Sequence, residues 1–183
     1  MKKILIYLLS IGIFGVASIA NSQTIRIGTE GAYPPWNNLN SAGELEGAEI
    51  DFGNEACKRM GVTCEWVTQD WDGIIPALLQ GKYDIIIAGM SITEERKEKV
   101  NFTTGYMTDG ARFAVLKNSG LANLNIAGMA KVNLNNAGGK EQAAIGQLIA
   151  AMDGKTVCVQ SSTIHQNFLE KHMSGAVLSL IHI

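Results

Sequence analysis

Beyond residue 23 the chain switches between two periodicities. Residues 24–29 alternate apolar and polar positions and are rich in β-branched side chains, which predicts a strand. Residues 31–43 hold Pro34-Pro35 and Asn37-Asn38 and read as a loop. Over 48–60 the apolar residues Ile50, Phe52, Ala56 and Met60 recur with helical spacing, and Gly61 ends the run. A second strand is expected over 62–68. A helix follows over 72–80, with Ile74, Ile75, Leu78 and Leu79 on its apolar face and Gly81 closing it. Residues 84–88 form a short apolar run, the pattern of a strand buried on both faces. Strand, helix, strand, helix, strand implies right-handed crossovers and a parallel sheet.

A further strand is expected over 111–116. The composition then turns to Asn, Gly and Ala across 118–140, which reads as a long surface excursion. A helix over 141–152, a strand over 155–160 and a helix over 163–172 follow. The fold class expected is α/β in two lobes: a leader over 1–20, a first lobe over 21–110 and a partial second lobe over 111–177. So few strands in the second lobe cannot bury a sheet on both faces. The apolar side chains Ile145, Leu148, Ile149, Val157, Val159 and Phe168 are therefore expected to lack partners. Residues 178–183, Leu-Ser-Leu-Ile-His-Ile, follow no helix or strand logic of the lobe. They are expected to be a non-native tail; the alternative is a genuine short strand.

The leader changes how the rest is read. Lys2 and Lys3 precede an apolar run from Ile4 to Ala17, and Ser18-Ile19-Ala20 places small residues where a signal peptidase reads. A membrane anchor, the alternative, needs roughly 20 apolar residues, and polar Asn21-Ser22-Gln23-Thr24 follows at once. The expectation is a cleaved export signal, with no cysteine at the cut to carry a lipid. Without Lys2 and Lys3 the chain has 13 basic and 17 acidic residues, a net of −4. Such a balance excludes a basic nucleic-acid surface. Export also makes the cysteines legible. Cys57 and Cys64 flank a helix end, the Gly61 turn and a strand start, a geometry that can bring their Cα atoms within disulfide range. Metal binding is the weaker alternative, with no histidine nearby. Cys158, in the apolar run 156–159, is expected to be a buried, inert thiol.

Four clusters follow expected strands, and ligands of open α/β sheets bind beyond the carboxyl ends of strands. Glu30-Gly31-Ala32-Tyr33 offers an acid and a flat apolar face, or else a solvated acid and a loop aromatic. Asp70-Trp71-Asp72 offers a ring that could cover a ligand or sit in the core, with Asp70 as a helix N-cap. In Gly89-Met90-Ser91-Ile92-Thr93-Glu94-Glu95-Arg96, Thr93 can cap a helix, and Arg96 can grip a carboxylate with two prongs or pair with Glu94 or Glu95. Gln160-Ser161-Ser162-Thr163-Ile164-His165 is another hydroxyl-rich strand-to-helix turn, fit for anion binding or for ordinary capping. Together, a carboxylate grip, a distant acid and two aromatics describe a zwitterion with a cationic side chain.

Here residues 24–172 resemble the periplasmic amino-acid-binding proteins of ABC importers, the lysine/arginine/ornithine and histidine binders and their octopine/nopaline relatives. The resemblance rests on Ile27-Gly28-Thr29-Glu30-Gly31-Ala32-Tyr33-Pro34-Pro35, on Cys57-Lys-Arg and Cys64, and on Trp71-Asp72-Gly-Ile-Ile-Pro76-Ala-Leu. It rests also on Ser91-Ile-Thr-Glu-Glu-Arg96 and on Gly154-Lys-Thr-Val with Gln160 and Thr163. It implies that Arg96 grips the ligand α-carboxylate, helped by N–H groups near Thr163 and Ile164. Ser91 and the Gly89 carbonyl meet the α-ammonium, Tyr33 and Trp71 sandwich the side-chain stem, and Glu30 pairs with the distal cation. Three departures stand out: Ala88-Gly89 where two serines are usual, Ile164 where a threonine is usual, and His165 where a glutamine is common. The first departure and the 118–140 excursion look more like the opine-binding branch. The resemblance implies a periplasmic monomer that closes on its ligand and docks on an inner-membrane ABC permease, with no cofactor, metal or catalytic residue. The rival classes are an enzyme on the same fold, such as a dehydratase with Glu30 as its acid or base, and a ligand sensor of a receptor.

Overall fold

The computed structural model describes residues 23–124, 126 and 138–182. Residues 1–22, most of the 118–140 excursion and Ile183 lie outside the described residues, so the export signal expected over 1–20 falls there too. No described helix is long and apolar enough to cross a membrane.

The first body opens with β1 (Thr24–Thr29), followed by the short strands β2 (Ala32–Tyr33), β3 (Asn37–Leu39) and β4 (Leu45–Glu46). Next come α1 (Ala48–Met60), β5 (Thr63–Thr68), α2 (Trp71–Leu79), β6 (Ile85–Ile86) and the single turn α3 (Glu94–Lys97). β1 is central in a parallel sheet of order β5-β1-β6, with Ile27 opposite both Trp66 and Ile85. One apolar cluster joins Ile74 and Ala77 of α2 to Tyr83 and Ala88. The other joins Ile27, Cys57 and Ile87, with Ile25, Val62, Cys64 and Trp66 packed against them. Gly53 lets α1 sit close on the sheet, because a Cβ there would stand 2.6 Å from the Trp66 ring. The end of α1 is fixed by Gly61 at φ 70, whose N–H caps the Cys57 and Lys58 carbonyls. That turn carries the expected Cys57–Cys64 disulfide, with Cα atoms 6.0 Å apart.

Several expectations need correction. The stretch read as a loop over 31–43 contains an antiparallel meander, β2-β3-β4. Its strands are too short for a period-two pattern to show. On α1 the buried side is Glu49, Ile50, Gly53 and Cys57, while Phe52 and Met60 are half exposed or more. Spacing by three and four, not the run of large apolar residues, sets the inner face. On α2, Leu79 likewise faces solvent, whereas Ile74 and Ala77 are buried. The strand over 84–88 shortens to β6, and Ile85 is 41% exposed because β6 is an edge of the described sheet. Residues 111–116 form no strand: no ladder partner among the described residues meets them, and Phe113, Val115 and Leu116 are exposed.

The second body contains α4 (Gly139–Met152), β7 (Thr156–Gln160), α5 (Ile164–His172) and β8 (Val177–Ile181). Of the terminal run 178–183, residues 178–181 lie in β8, which pairs in parallel with β7 from Thr156 opposite Val177 to Gln160 opposite Ile181. Five of the six apolar side chains expected to lack partners have them: Met152, Val159, Leu169 and Met173 form a cluster with Leu148, Ile149, Val157, Phe168 and Leu178. Cys158 is exposed, contrary to expectation. β7 alternates, turning Val157 and Val159 inward and Cys158 outward, because helices cover one face of this small sheet.

Candidate functional site

β1 ends at Thr29, and Glu30 begins the turn beyond it. Tyr33 follows in β2, where its hydroxyl donates to Asp109 Oδ2 at 2.8 Å. Burial, with that bond and the charge of Asp109, pushes the Tyr33 phenol up to about 12. The ring lies against the turn after β6. Gly89 stands there at φ +59, and a Cβ on it would be 3.1 Å from Tyr33 Cε1. Glycine is thus needed twice, for its backbone angle and for the ring beside it.

Trp71, the first residue of α2, packs on the first-body core and donates its indole N–H to the Ser162 carbonyl at 3.0 Å. Asp70 precedes the helix but makes no side-chain capping bond, contrary to expectation. Thr93 does cap α3, accepting from Arg96 N at 3.2 Å. The Arg96 guanidinium turns back toward the cleft, donating to the carbonyls of Ser91 at 2.9 Å and Ser162 at 3.3 Å. It lies 5.3 Å from the centroid of the Trp71 ring. Glu94 takes Lys97 as its ion-pair partner instead. Burial lowers the Arg96 pKa, with Glu95 opposing, yet an arginine so placed keeps its charge at neutral pH.

The second body supplies the turn from β7 to α5. Thr163 caps α5, accepting from Gln166 N at 3.2 Å and donating to the Gln160 carbonyl at 2.8 Å. Ser162 sits at φ 57, a left-handed angle unusual for a residue with a side chain, and its carbonyl receives both Trp71 and Arg96. Ile164 is 37% exposed at the helix start. His165 is held below the ordinary histidine range by burial, against the pull of Asp109.

Sequence reasoning passed over several contacts. Gln160 Nε2 donates to Glu30 Oε1 at 2.5 Å, so the cleft acid is already engaged across the lobes. Burial raises the Glu30 pKa, with the Gln160 bond pulling the other way. Ser161 Oγ donates to both Asp72 oxygens at 2.9 Å, and His182 Nδ1 lies 2.5 Å from Asp72 Oδ2. Burial alone would lift Asp72, but bonds from Ser162, His182 and Ser161 outweigh it and leave the pKa lowered. Asp72 had stood beside Trp71 in the sequence, but nothing local pointed to Ser161. Among the described residues no group of histidines, cysteines and carboxylates could hold a metal ion. The arrangement brings an acid, and a guanidinium over an indole, from the first body into direct contact with the 160–165 turn of the second.

Comparison with known proteins places this geometry in a family. Residues 25–172 match the bacterial extracellular solute-binding proteins, family 3. The octopine-binding periplasmic protein of Rhizobium meliloti is 43% identical over 158 residues, covering 86% of this chain and 53% of that protein. The lysine/arginine/ornithine-binding periplasmic protein of Escherichia coli is 39% identical over 120 residues, covering 64% of this chain and 46% of that protein. The chain spans about half the length of these relatives. Among solved structures, an ancestral amino acid-binding protein, precursor of cyclohexadienyl dehydratase, superposes with a TM-score of 0.68 at 32% identity. It covers 86% of this chain and 61% of its own. The truncated, arginine-bound arginine-binding protein of T. maritima gives 0.67 at 28%, covering 86% and 63%. These relatives are named as binding proteins, and the curated ones named here as periplasmic. With its parallel-sheet first lobe and a match spanning residues 25–172, this chain belongs to the bacterial extracellular solute-binding proteins of family 3.

Proposed function

We propose that this protein is the periplasmic substrate-binding component of an ABC importer and captures a cationic amino acid or an opine by lobe closure, without catalysis. The observation that carries the reading is that the chemically distinct groups of the first lobe converge on one turn of the second. Glu30 meets Gln160, and Trp71 and Arg96 meet Ser162. A ligand lying between the lobes would find a carboxylate partner in Arg96 and the N–H groups near Thr163 and Ile164. Tyr33 and Trp71 would flank its stem, Glu30 would neutralise its distal cation, and Ser91 with the Gly89 carbonyl would meet its ammonium; His165 lines the same turn. Closure then follows from differential affinity for the state in which both lobes touch the ligand, and that state docks on the inner-membrane permease. The names of the relatives, which bind octopine and lysine, arginine or ornithine, support the same ligand class.

Calorimetry against arginine, lysine, ornithine, histidine, octopine and glutamate tests the proposal. The expected result is binding of one or more of the cationic ligands. Tight binding of glutamate alone would overturn it.

A further inference from the structure

The second residue of α1, Glu49, is 2% exposed, although an acid in a first helical turn would ordinarily sit in water. Both of its oxygens accept hydrogen bonds. Oε1 accepts the Gly89 N–H at 2.7 Å and the Tyr106 hydroxyl; Oε2 accepts Asn37 Nδ2 at 2.7 Å. Asn37 is itself completely buried, and its Oδ1 accepts the Gly31 N–H at 2.8 Å. Gly31 follows Glu30, and Gly89 lies against Tyr33. One buried carboxyl thus reaches both turns that carry the ligand groups of the first lobe. It also reaches Tyr106, whose ring stacks on Phe52 at 5.5 Å, in the stretch that leads out of that lobe.

We propose that Glu49 is a positioning residue of the cleft: with Asn37 it sets the backbone of the Gly89 and Gly31 turns, and so the placement of Tyr33 and Glu30, without touching ligand. This rests on the cationic-ligand reading of the cleft. The geometry follows from donor and acceptor count. Asn37 cannot rotate its amide without turning Nδ2 onto the Gly31 N–H. The group at position 49 must therefore accept on both sides, which a carboxylate does and an amide does not. In Glu49→Gln, either the new amide nitrogen confronts Asn37 Nδ2 or it confronts the Gly89 N–H. The first sets two buried donors face to face; the second, which costs less, takes the 2.7 Å acceptor from the Gly89 N–H and leaves it only the Tyr106 hydroxyl oxygen at 3.2 Å. Adding Asn37→Asp restores the match. The carboxylate then at position 37 accepts both from the Gly31 N–H and from the amide nitrogen at position 49. The amide oxygen at position 49 still accepts from Gly89 and Tyr106.

The test uses the full chain and its Glu49→Gln, Asn37→Asp and doubly substituted forms. Exchange of the Gly89 amide is followed by NMR against the Ile87 amide, which bonds the Gly28 carbonyl at 3.0 Å in the adjoining strand. Arginine affinity is measured alongside by calorimetry. Glu49→Gln should speed Gly89 exchange relative to Ile87 by about tenfold and weaken arginine binding by about tenfold. Asn37→Asp should do the same, and the double form should return both readings to within about threefold. A Gly89-to-Ile87 ratio unchanged in Glu49→Gln overturns the proposal. So does a double form that fails to fold, or that folds without recovering the ratio. Absence of arginine binding in the unsubstituted chain sinks the cationic-ligand reading alone, and the exchange ratio still decides the role of Glu49.

Discussion

Arg96 is the residue on which the proposed grip depends most. Arg96→Ala should reduce affinity for every carboxylate-bearing ligand by roughly 2–5 kcal/mol, because a ligand carboxylate in the closed cleft would lose its charged partner. Arg96→Lys should recover little, since a point charge reproduces neither the two-pronged grip nor the stacking 5.3 Å from the Trp71 ring. Calorimetry with unchanged affinity in both variants would place the site elsewhere. Glu30 makes the pH dependence specific. Its pKa is raised, by burial first, so protonation overtakes it at a higher pH than for an ordinary glutamate. Affinity for a cationic ligand should therefore fall on acidification through that raised pKa. The free protein should behave oppositely: an acid with a raised folded pKa adds stability below its unfolded pKa and loses it as pH rises through the folded one. Glu30→Gln should abolish the acid-side loss of affinity and leave the melting temperature nearly unchanged; a binding profile identical to the parent's would make Glu30 a bystander. Cys158, exposed on the outer face of β7, should react with a thiol reagent in the folded chain while Cys57 and Cys64 do not.

At the level of elements, the close packing of the first lobe sets its tolerances. The Cys57–Cys64 bridge ties the last turn of α1 to β5 across a sequence separation of 7 residues. Replacing both cysteines by serine should cost roughly 2–3 kcal/mol, less where the Gly61 turn is already ordered. Mass spectrometry of exported protein should find both residues paired; free thiols there would refute the bridge. Gly28 in the central strand has no room for a side chain: a Cβ would lie 2.5 Å from the ring of Tyr83, itself 1% exposed and bonded through its hydroxyl to the Ile74 carbonyl. Gly28→Ala should therefore destabilise by roughly 1–3 kcal/mol, read from urea unfolding. A neutral substitution would mean that Tyr83 moves at little cost.

On the scale of the whole molecule, contacts that involve no ligand group also hold the lobes together. Ser161 and Asp72 make such a pair, with both carboxylate oxygens 2.9 Å from the hydroxyl. Ser161→Ala removes a closure contact without removing any residue proposed to touch ligand. It should weaken binding roughly 3–10-fold for all ligands alike, because closure and binding share one equilibrium. A changed rank order among arginine, lysine and octopine would show that Ser161 meets the ligand directly.

Several features were readable in the sequence because their causes are local. The Thr93 cap, the Gly61 stop and the Cys57–Cys64 turn involve residues within a few positions of one another, and β1, β5 and α2 follow from periodicity within a single segment. Where a second, distant segment decides, local pattern misled. Residues 111–116 have strand-forming side chains but no ladder partner among the described residues, whereas residues 178–181 of the terminal run found one in β7. Cys158 sat in an apolar run, and only the one-sided cover of β7 turned it outward. Nothing local singled out Glu49, and its buried carboxylate is satisfied by Asn37, Gly89 and Tyr106. The amino-acid sequence by itself determined β1, α1, β5, α2, α4, β7 and α5 and the Thr93 cap, since these depend on neighbours along the chain. Only the tertiary structure decided which groups meet across the cleft. Glu30 and Gln160 are 130 positions apart, Trp71 and Ser162 are 91 apart, and such pairings exist only once two separately packed lobes have been brought face to face.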